Sequence, residues 1–509
     1  MQYVSFLLKR VAPLAALLST LGMPVHSMAT PWIPVGDQRA KHSVQLLADR
    51  GCLAAPSTTW PMMWADVSPA LDNEEAPEYC RNTSAWRYLT FERNMQRRSN
   101  AHLGVKLGHA TREPLFRDFN HAPRSTGEAT INIDVHAGPV ALGLNPTYVE
   151  DPLDGDEWRF DNSYLAGKAG NWVFGAGAID RWWGPGWHSS VILSNNARPV
   201  PGVWVNRGQA RRSNWRPMSW LGPWNLVVFA GELENNRHVS NAKLLGARFT
   251  VKPASFIELG ANRTAQWAGE GQPSNLKSLG NAIIGRDNGQ TKEDPSNQLA
   301  GFDLRIAAPI GKATLGFYAQ LIGEDEAGGM PAKDMQQAGL DLATQFGLNE
   351  QRFYFEVADN QTGRWLSDGV PNVGYEHSVY KTGYRYKGRV MGSTWESDSR
   401  VYTLGAAQYF ANGNDLTLTY SYARLNYTGT VRSRPTDVPG PLLGLPKKEQ
   451  KVHVMTVSYG VNLLQGKAGR LTLAGQFTDK DINVVKTDHS GQRTWPKAIG
   501  MATWEYRFD

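Results

Sequence analysis

Residues 180–202, DRWWGPGWHSSVILSNNARPVPG, combine three tryptophans, two arginines and two asparagines in a segment with neither a strand period nor a helix period. Indole rings offer flat apolar faces, and arginine offers a planar fork of donors suited to carboxylates. Prolines fix φ and glycines adopt conformations that other residues avoid, so the loop would lose little entropy on binding. Sugars with acidic groups need this combination. We therefore predict polysaccharide binding by Arg181, Trp182, Trp183, Trp187, Asn195, Asn196 and Arg198.

A second aromatic and basic segment, GYEHSVYKTGYRYKGRVMG, spans residues 374–392. Its candidate polysaccharide-binding residues are Tyr384, Arg385, Tyr386 and Arg389. Two alternatives stay open. The tryptophans of the first segment could fill the lumen of a barrel or join an aromatic belt. The second segment could be a solvated loop whose cations balance acidic lipopolysaccharide.

The N-terminus has the pattern of a secretory signal. Lys9 and Arg10 precede the apolar run 11–21, and Ser27-Met28-Ala29 offers small residues for cleavage after Ala29. We therefore expect residues 1–29 to be removed and the protein to be exported. No later segment supplies about 18 consecutive apolar residues, which excludes a membrane-spanning helix.

The chain carries 53 Lys and Arg against 47 Asp and Glu, a net charge of +6 spread without a basic tail. This excess weakly favours acidic partners. An exported protein is not expected to meet nucleic acid, so the available anions are acidic glycans and lipid head groups.

The chain has two cysteines, Cys52 and Cys80. Disulfides persist in the compartments that exported proteins reach, so we predict that these residues pair. On the chain-entropy model the bridge would stabilise the folded state by roughly 3 to 4 kcal/mol.

Residues 30–98 are predicted to form a helical subdomain. Asp37 can cap a helix over residues 38–50, which carries an apolar stripe of Ala40, Val44 and Leu47 and is ended by Gly51. A second helix is predicted over residues 84–98.

From residue 99 onward, apolar and polar residues alternate in segments of about ten residues, the length that a tilted strand needs to cross a bilayer. Leu315 and Phe317, or Leu416 and Leu418, mark such segments. We predict an all-β fold, a transmembrane antiparallel β-barrel of about 18 strands over residues 99–509. An even strand number places both chain ends and the helical subdomain on the same side, the periplasm.

Short and long connectors alternate between the predicted strands. Turns such as Gly138-Pro139 and 347–350 would form one rim, and connectors such as 267–297, 360–400 and 428–450 the other. Barrels of this class keep their short turns on the periplasmic side. Because short and long connectors alternate, the connector that contains residues 181–201 is placed at the outer rim, where it faces the cell surface or folds into the barrel mouth.

Several motifs carry a resemblance to a known family: PWIP, QLLADRG and WP near the start, then WWGPGW, SVILSNNARPVPG and GYRYKGRVMG. From about Trp32 to the C-terminus, the chain resembles the Wzi-like capsule assembly family. The resemblance implies an outer-membrane β-barrel lectin with a periplasmic helical segment. Such a protein binds capsular or exopolysaccharide at the cell surface, organises its attachment, and is not a catalyst. The binding residues named above rest on loop chemistry.

Two other functions stay open: a channel for acidic oligosaccharides, and an outer-membrane hydrolase. The acidic cluster around Asp154 and Asp156 could supply paired carboxylates, although a solvated turn is the simpler interpretation. The sequence has no GxSxG, HExxH or phosphate-binding loop, and it indicates no metal or other cofactor. The expected partners are acidic polysaccharide, outer-membrane lipid and lipopolysaccharide, with the barrel-assembly machinery inserting a monomer.

The predicted topology can be tested by epitope insertion. An epitope inserted between Asn288 and Gln290, in a long polar connector, should be reached by antibody on intact cells, whereas one inserted at Gly311 should not. Both sites should be reached after the outer membrane is permeabilised. The reverse accessibility on intact cells would invert the barrel.

Overall fold

The computed structural model describes residues 30–284, 296–327, 330–363, 369–427, 446, 448–485 and 492–508. The predicted signal segment and the insertion point at residues 288–290 lie outside these ranges.

Within them, 18 antiparallel strands form a closed barrel, which confirms the predicted fold class and strand number. Strands that follow one another in the chain are neighbours in the sheet, and the last strand closes against the first, with Phe508 opposite Leu103. Three strands are interrupted and consist of two segments each. The strands are β1 Ala101–Ala110, β2 Gly127–Ala137, β3 Val140–Leu144 with Thr147–Glu150, β4 Trp158–Arg159 with Tyr164–Ala169, β5 Trp172–Gly177, β6 Gly202–Arg207 with Arg211–Arg212, β7 Pro223–Glu232, β8 Lys243–Ala254, β9 Ile257–Trp267, β10 Asn297–Ile310, β11 Ala313–Ala327, β12 Met330–Phe346, β13 Asn349–Asp359, β14 Arg400–Tyr409, β15 Asp415–Leu425, β16 Gln450–Asn462, β17 Arg470–Thr478 and β18 Ala498–Phe508.

The period of two separates the outer face of the barrel wall from the inner face. Leu416 and Leu418 of β15 are exposed on the outside, whereas Thr417 and Thr419, which alternate with them, are buried. An outer face of exposed apolar side chains on strand after strand suits contact with lipid.

The connectors form one short rim and one long rim, as the sequence predicts. Strands β10 and β11 join through Gly311 and Lys312, and β12 and β13 through Gly347 and Leu348. Gly311 has φ of +61°, a value that glycine adopts without strain in so tight a turn. The opposite rim carries the connectors 178–201, 233–242 and 360–399.

The helices are α1 Gln38–Asp49, α2 Trp64–Leu71, α3 Glu78–Arg81, α4 Ser84–Arg98, α5 Arg216–Ser219 and α6 Leu276–Ile284, and residues 463–466 form a 3₁₀ turn. The predicted cap is confirmed, because the Asp37 carboxylate accepts a hydrogen bond from the backbone N–H of Ala40 (2.8 Å). Helix α4 has the predicted bounds. In the ranges described, none of the helices has the length and apolar character to cross a membrane.

Helix α1 lies inside the barrel, and all 12 of its residues are buried. The predicted apolar stripe accounts for only one side of the helix. The other sides are buried as well, because a helix inside a lumen has no face toward solvent. Its polar side bonds to the inner wall: Asp49 accepts from Arg305 of β10 (2.6 Å). Lys252 of β8 donates to the carbonyl of Ala48 (2.7 Å), near the helix end where backbone carbonyls lack donors.

Residues 30–98 approach the wall at the short-turn rim. Arg50 donates to the carbonyl of Lys312 (2.6 Å), and Arg39 donates to that of Phe410 (3.1 Å). Cys52 and Cys80 are joined in a disulfide, in agreement with the predicted pair. The disulfide therefore links two parts of the helical segment, and the hydrogen bonds attach the segment to the barrel wall.

Asp66 of α2 is a buried acid with one partner. Its Oδ1 accepts a hydrogen bond from the N–H of Ala210 (2.6 Å), whereas Oδ2 has no partner in the described part of the chain. Burial raises the pKa of Asp66 to about 7. Because this value lies above that of an unfolded chain, ionisation of Asp66 increasingly opposes folding as pH rises from about 4 to about 7.

We therefore expect the stability of Asp66→Asn relative to the parent to be roughly 2 to 3 kcal/mol higher at pH 8 than at pH 5. The free energy of unfolding is measured by urea titration in detergent at both pH values, with heat-modifiable gel migration as the readout. Asp72→Asn is the matched control, since the hydrogen bond from Arg97 lowers the pKa of Asp72 and its effect should be equal at both pH values. An equal effect of Asp66→Asn at both would contradict the expectation.

Candidate functional site

The segment 180–202 leaves β5 at the long-connector rim, as predicted, and then folds down into the lumen. Trp182 and Trp183 pair in an antiparallel ladder with Trp60 and Thr59 of the N-terminal segment. The N-terminal segment, which enters at one end of the barrel, therefore meets segment 180–202, which enters at the other end. We call residues 180–201 together with α1 and the short strands Trp32–Ile33, Thr59–Trp60 and Met62–Met63 the plug.

The tryptophans of this segment are buried in the plug. Trp183 packs edge-on against Phe229 (ring centroids 5.6 Å apart), and Trp182 packs edge-on against Phe119 (5.3 Å). The Lys41 ammonium of α1 lies 4.4 Å from the Trp182 ring. These rings have no face available to a ligand.

Trp187 is fixed by the barrel wall. Its indole N–H donates to Asp341 of β12 (2.8 Å), and the guanidinium of Arg352 lies 4.2 Å above the ring. Glu356 accepts hydrogen bonds from the backbone N–H groups of Trp187 (2.8 Å) and Ser189 (3.1 Å). One inward carboxylate thus holds the turn after WGPGW.

The glycines of this motif allow the close packing. A Cβ atom on Gly186 would lie 2.1 Å from the carbonyl oxygen of Ser189, and Gly184 has φ of +140°. The motif therefore marks a turn pressed against the inner wall.

The polar candidates of the first segment also have internal partners. The side-chain amides of Asn195 and Asn196 donate to the backbone carbonyls of Phe119 (3.1 Å) and Val390 (2.8 Å). The guanidinium of Arg181 lies 4.5 Å from the Phe229 ring. Burial lowers the pKa of Arg181 to about 10, which leaves it charged at neutral pH.

Arg198 has three carboxylate partners. It donates to Asp161 (2.9 Å), Asp154 (2.7 Å) and Asp156 (2.7 Å). Burial by itself would lower the pKa of Arg198, but its bonds with Asp161 and Asp154 outweigh burial and raise it. The cation predicted to bind sugar carboxylates is therefore neutralised by the protein.

The second segment is built in the same way. Arg385 is buried and donates to Glu376 (2.8 Å) and Glu396 (2.5 Å). Arg389 donates to Glu113 (2.8 Å). Tyr384 and Tyr386 are buried in the main apolar cluster.

The sequence allowed residues 181–201 either to face the cell surface or to fold into the barrel mouth, and these contacts match the second placement. The structure brings Arg389 and Asn196 together (3.2 Å), but in the interior, and Arg198 and Arg385 bind separate carboxylate groups. The geometry favours the alternative in which the tryptophans fill the lumen. The sequence could not show this, because the neutralising carboxylates lie 37 to 44 positions from Arg198 and 276 positions from Arg389.

Among the described residues, the long-connector rim also carries side chains that are not among the predicted binding residues. Connectors 233–242, 268–275 and 376–382 join there. The backbone N–H of His238 donates to the hydroxyl of Thr382 (3.0 Å), and Tyr380 donates to the carbonyl of Ala268 (3.0 Å). We call these three connectors the outer surface. Its exposed polar residues include Asn235, Asn236 and Glu270. The adjacent asparagines in a long connector were the available signal.

Comparisons with known proteins agree with this architecture. Residues 96–494 match the family described as Capsule assembly protein Wzi. A Klebsiella pneumoniae protein described as an "Uncharacterized 55.8 kDa protein in cps region" is 30% identical over 371 residues, which cover 69% of each chain.

One solved structure is similar along nearly the whole chain. It is reported as Wzi, an outer membrane protein involved in group 1 capsule assembly in Escherichia coli and a carbohydrate binding β-barrel. The TM-score is 0.78 at 22% identity, covering 94% of this chain and 99% of that one. OprD of Pseudomonas aeruginosa is more distant, with a TM-score of 0.43 at 11% identity over 81% of this chain and 94% of its own.

Arg198→Gln distinguishes a structural role from a binding role. The substitution should remove the arginine from Asp161, leave Asp154 with Arg159 alone, and destabilise the protein by on the order of 2 to 4 kcal/mol. Limited proteolysis should then cut faster within residues 151–161. Adding Asp161→Asn should restore part of the loss, since the double variant removes the unpaired charge. If the variant resists protease like the parent but no longer retains polysaccharide on cells, the result would instead support a binding role for Arg198.

Proposed function

Because the chain belongs to the Capsule assembly protein Wzi family, we propose that it is an outer-membrane lectin that binds capsular or exopolysaccharide and supports capsule assembly and attachment at the cell surface. The family match over residues 96–494 is the observation that carries this proposal. The apolar outer face of the wall supports membrane insertion.

The plug favours binding over transport. Helix α1 and the N-terminal segment enter from the short-turn rim, and segment 180–201 enters from the other rim. Trp182 and Trp183 of that segment pair with Trp60 and Thr59 inside the barrel. A wide channel for oligosaccharides needs an unobstructed lumen. The filled lumen therefore argues against the channel alternative.

The acidic cluster does not resemble a hydrolytic carboxylate pair. A general acid needs a raised pKa, as a carboxyl in an apolar site has. Burial would raise the pKa of Asp154, but Arg159 and Arg198 outweigh burial and lower it. We therefore propose a non-catalytic binder.

We assign glycan contact to the outer surface. Asn235 and Asn236 carry amides that suit sugar hydroxyls. Lys381, together with Lys277 in the first turn of α6 just after connector 268–275, supplies cations suited to acidic sugars. Such contacts are individually weak, but a repeating polymer can engage many proteins at once, so avidity replaces a tight single site.

The orientation follows from the rims. We propose that the short turns, both chain ends and residues 30–98 face the periplasm, that the long connectors face the cell exterior beside lipopolysaccharide, and that the barrel-assembly machinery inserts a monomer.

Cell-bound and shed polysaccharide should be compared in a deletion strain that carries each variant. Lys277→Gln with Lys381→Gln should lower retention roughly two- to fivefold in low salt and less in high salt, because salt screens exposed charges. Asn235→Ala with Asn236→Ala should lower retention at any salt.

Arg211→Gln with Lys312→Gln removes the same charge at the short-turn rim and should change nothing. If the deletion strain itself retains as much polysaccharide as the parent, the lectin function is wrong. If only the surface variants have no effect, the contacts lie elsewhere.

A further inference from the structure

The plug fills the lumen unevenly. Helix α1 contacts β10 and β11, and α4 contacts β13. On that side the inner wall carries charged residues that bond to the plug, such as Arg305 and Glu350. The inner faces of β15 to β18 carry hydroxyl groups instead. We call the following residues the hydroxyl wall: Thr417, Thr419, Thr456, Ser458, Thr472 and Thr503.

A cavity lies between the hydroxyl wall and the residues 114–123, and His188 and Trp395 also line it. Ser458, Thr472 and Thr503 remain partly exposed, and the connection from β16 to β17 lies at the short-turn rim. The cavity therefore opens toward that rim. We call it the vestibule.

An apolar layer closes the vestibule at its other end. The rings of Phe116 and Trp395 pack with centroids 4.3 Å apart, and Ile482, Val484 and Trp495 are buried around them. A second cavity, also lined by Phe116 and Trp395, lies on the outer side of this layer. The vestibule is thus a blind pocket with an aromatic end.

His188 lines the vestibule without an internal partner. Its side chain is buried and its ring stacks on Trp395 at 5.3 Å, yet neither ring nitrogen has a hydrogen-bond partner among the residues described. Burial lowers the pKa of His188, so its imidazole is neutral and offers one donor and one acceptor. Leaving such a group unsatisfied is costly, which indicates a polar occupant.

The charges around the vestibule nearly cancel. Arg117 and Asp118 both line it, and Arg117 also donates to the carbonyl of Pro123 (2.9 Å). His121 lies at the exposed margin. The described lining therefore carries no net charge that would attract a strongly charged ligand.

We propose that the vestibule is a binding site for a neutral sugar unit that enters from the short-turn rim. Hydroxyl groups of threonine and serine donate and accept hydrogen bonds, as sugar hydroxyls do, and an aromatic ring packs on the apolar face of a sugar. The site goes beyond the lectin function proposed above, because it lies at the opposite end of the barrel from the outer surface and selects neutral sugars.

Saturation-transfer NMR on the purified full chain tests this, with glucose, galactose, maltose and glucuronate as probes and a detergent without sugar head groups. We expect signals from at least one neutral sugar and weaker signals from glucuronate. Thr419→Val and Thr456→Val keep the side-chain shape and should each weaken binding about fivefold. His188→Phe should abolish the signal while it keeps the ring on Trp395.

Thr250→Val is the matched control, since Thr250 of β8 is buried on the inner face but lies outside the vestibule. It should bind sugar as the parent does, and so should Lys277→Gln with Lys381→Gln, which separates this test from that of the outer surface. Heat-modifiable migration shows that each variant is folded. Absence of any neutral-sugar signal, equal signals in all variants, or a preference for glucuronate would overturn the proposal.

Discussion

A charge buried between a barrel wall and its plug must be neutralised where it lies, and this constraint organises the protein. Removing one partner of a buried ion pair typically costs about 3 to 5 kcal/mol. Asp341 illustrates the arrangement: it accepts hydrogen bonds from Arg305 and Arg352 of the wall and from the indole of Trp187 in the plug. Helix α1 joins the same network through Asp49. The helix, the loop and the wall are therefore interdependent.

This constraint also decides which side chains remain for recognition. Aromatic and cationic residues in an irregular loop suit a sugar site and a plug equally well, since both need rings packed against planar donors. Glu356 and Asp161 favour the plug role here, because they bind the loop and its arginine from inside the protein. We propose that recognition uses groups that the plug leaves unused: amides and lysines outside, and hydroxyl groups on the inner wall opposite α1.

Local rules predicted much of the fold. The cap at Asp37 and the apolar period predicted α1, whose observed end at Asp49 is one residue short of the prediction. The alternation of Leu416, Thr417 and Leu418 predicted an outward and an inward face, and the structure has both. These features depend on neighbours within a few residues, so a sequence displays them directly.

Other features depended on the closed barrel. The sequence by itself determined the strand period, the two rims, the disulfide pair and the family resemblance, because each is written in residue type and spacing. Only the tertiary structure decided that α1 is buried on every side, that Arg198 binds three aspartates, and that a hydroxyl wall faces an open vestibule. Closure brings residues more than a hundred positions apart into contact, and desolvation inside the lumen forces each charge to find its partner there.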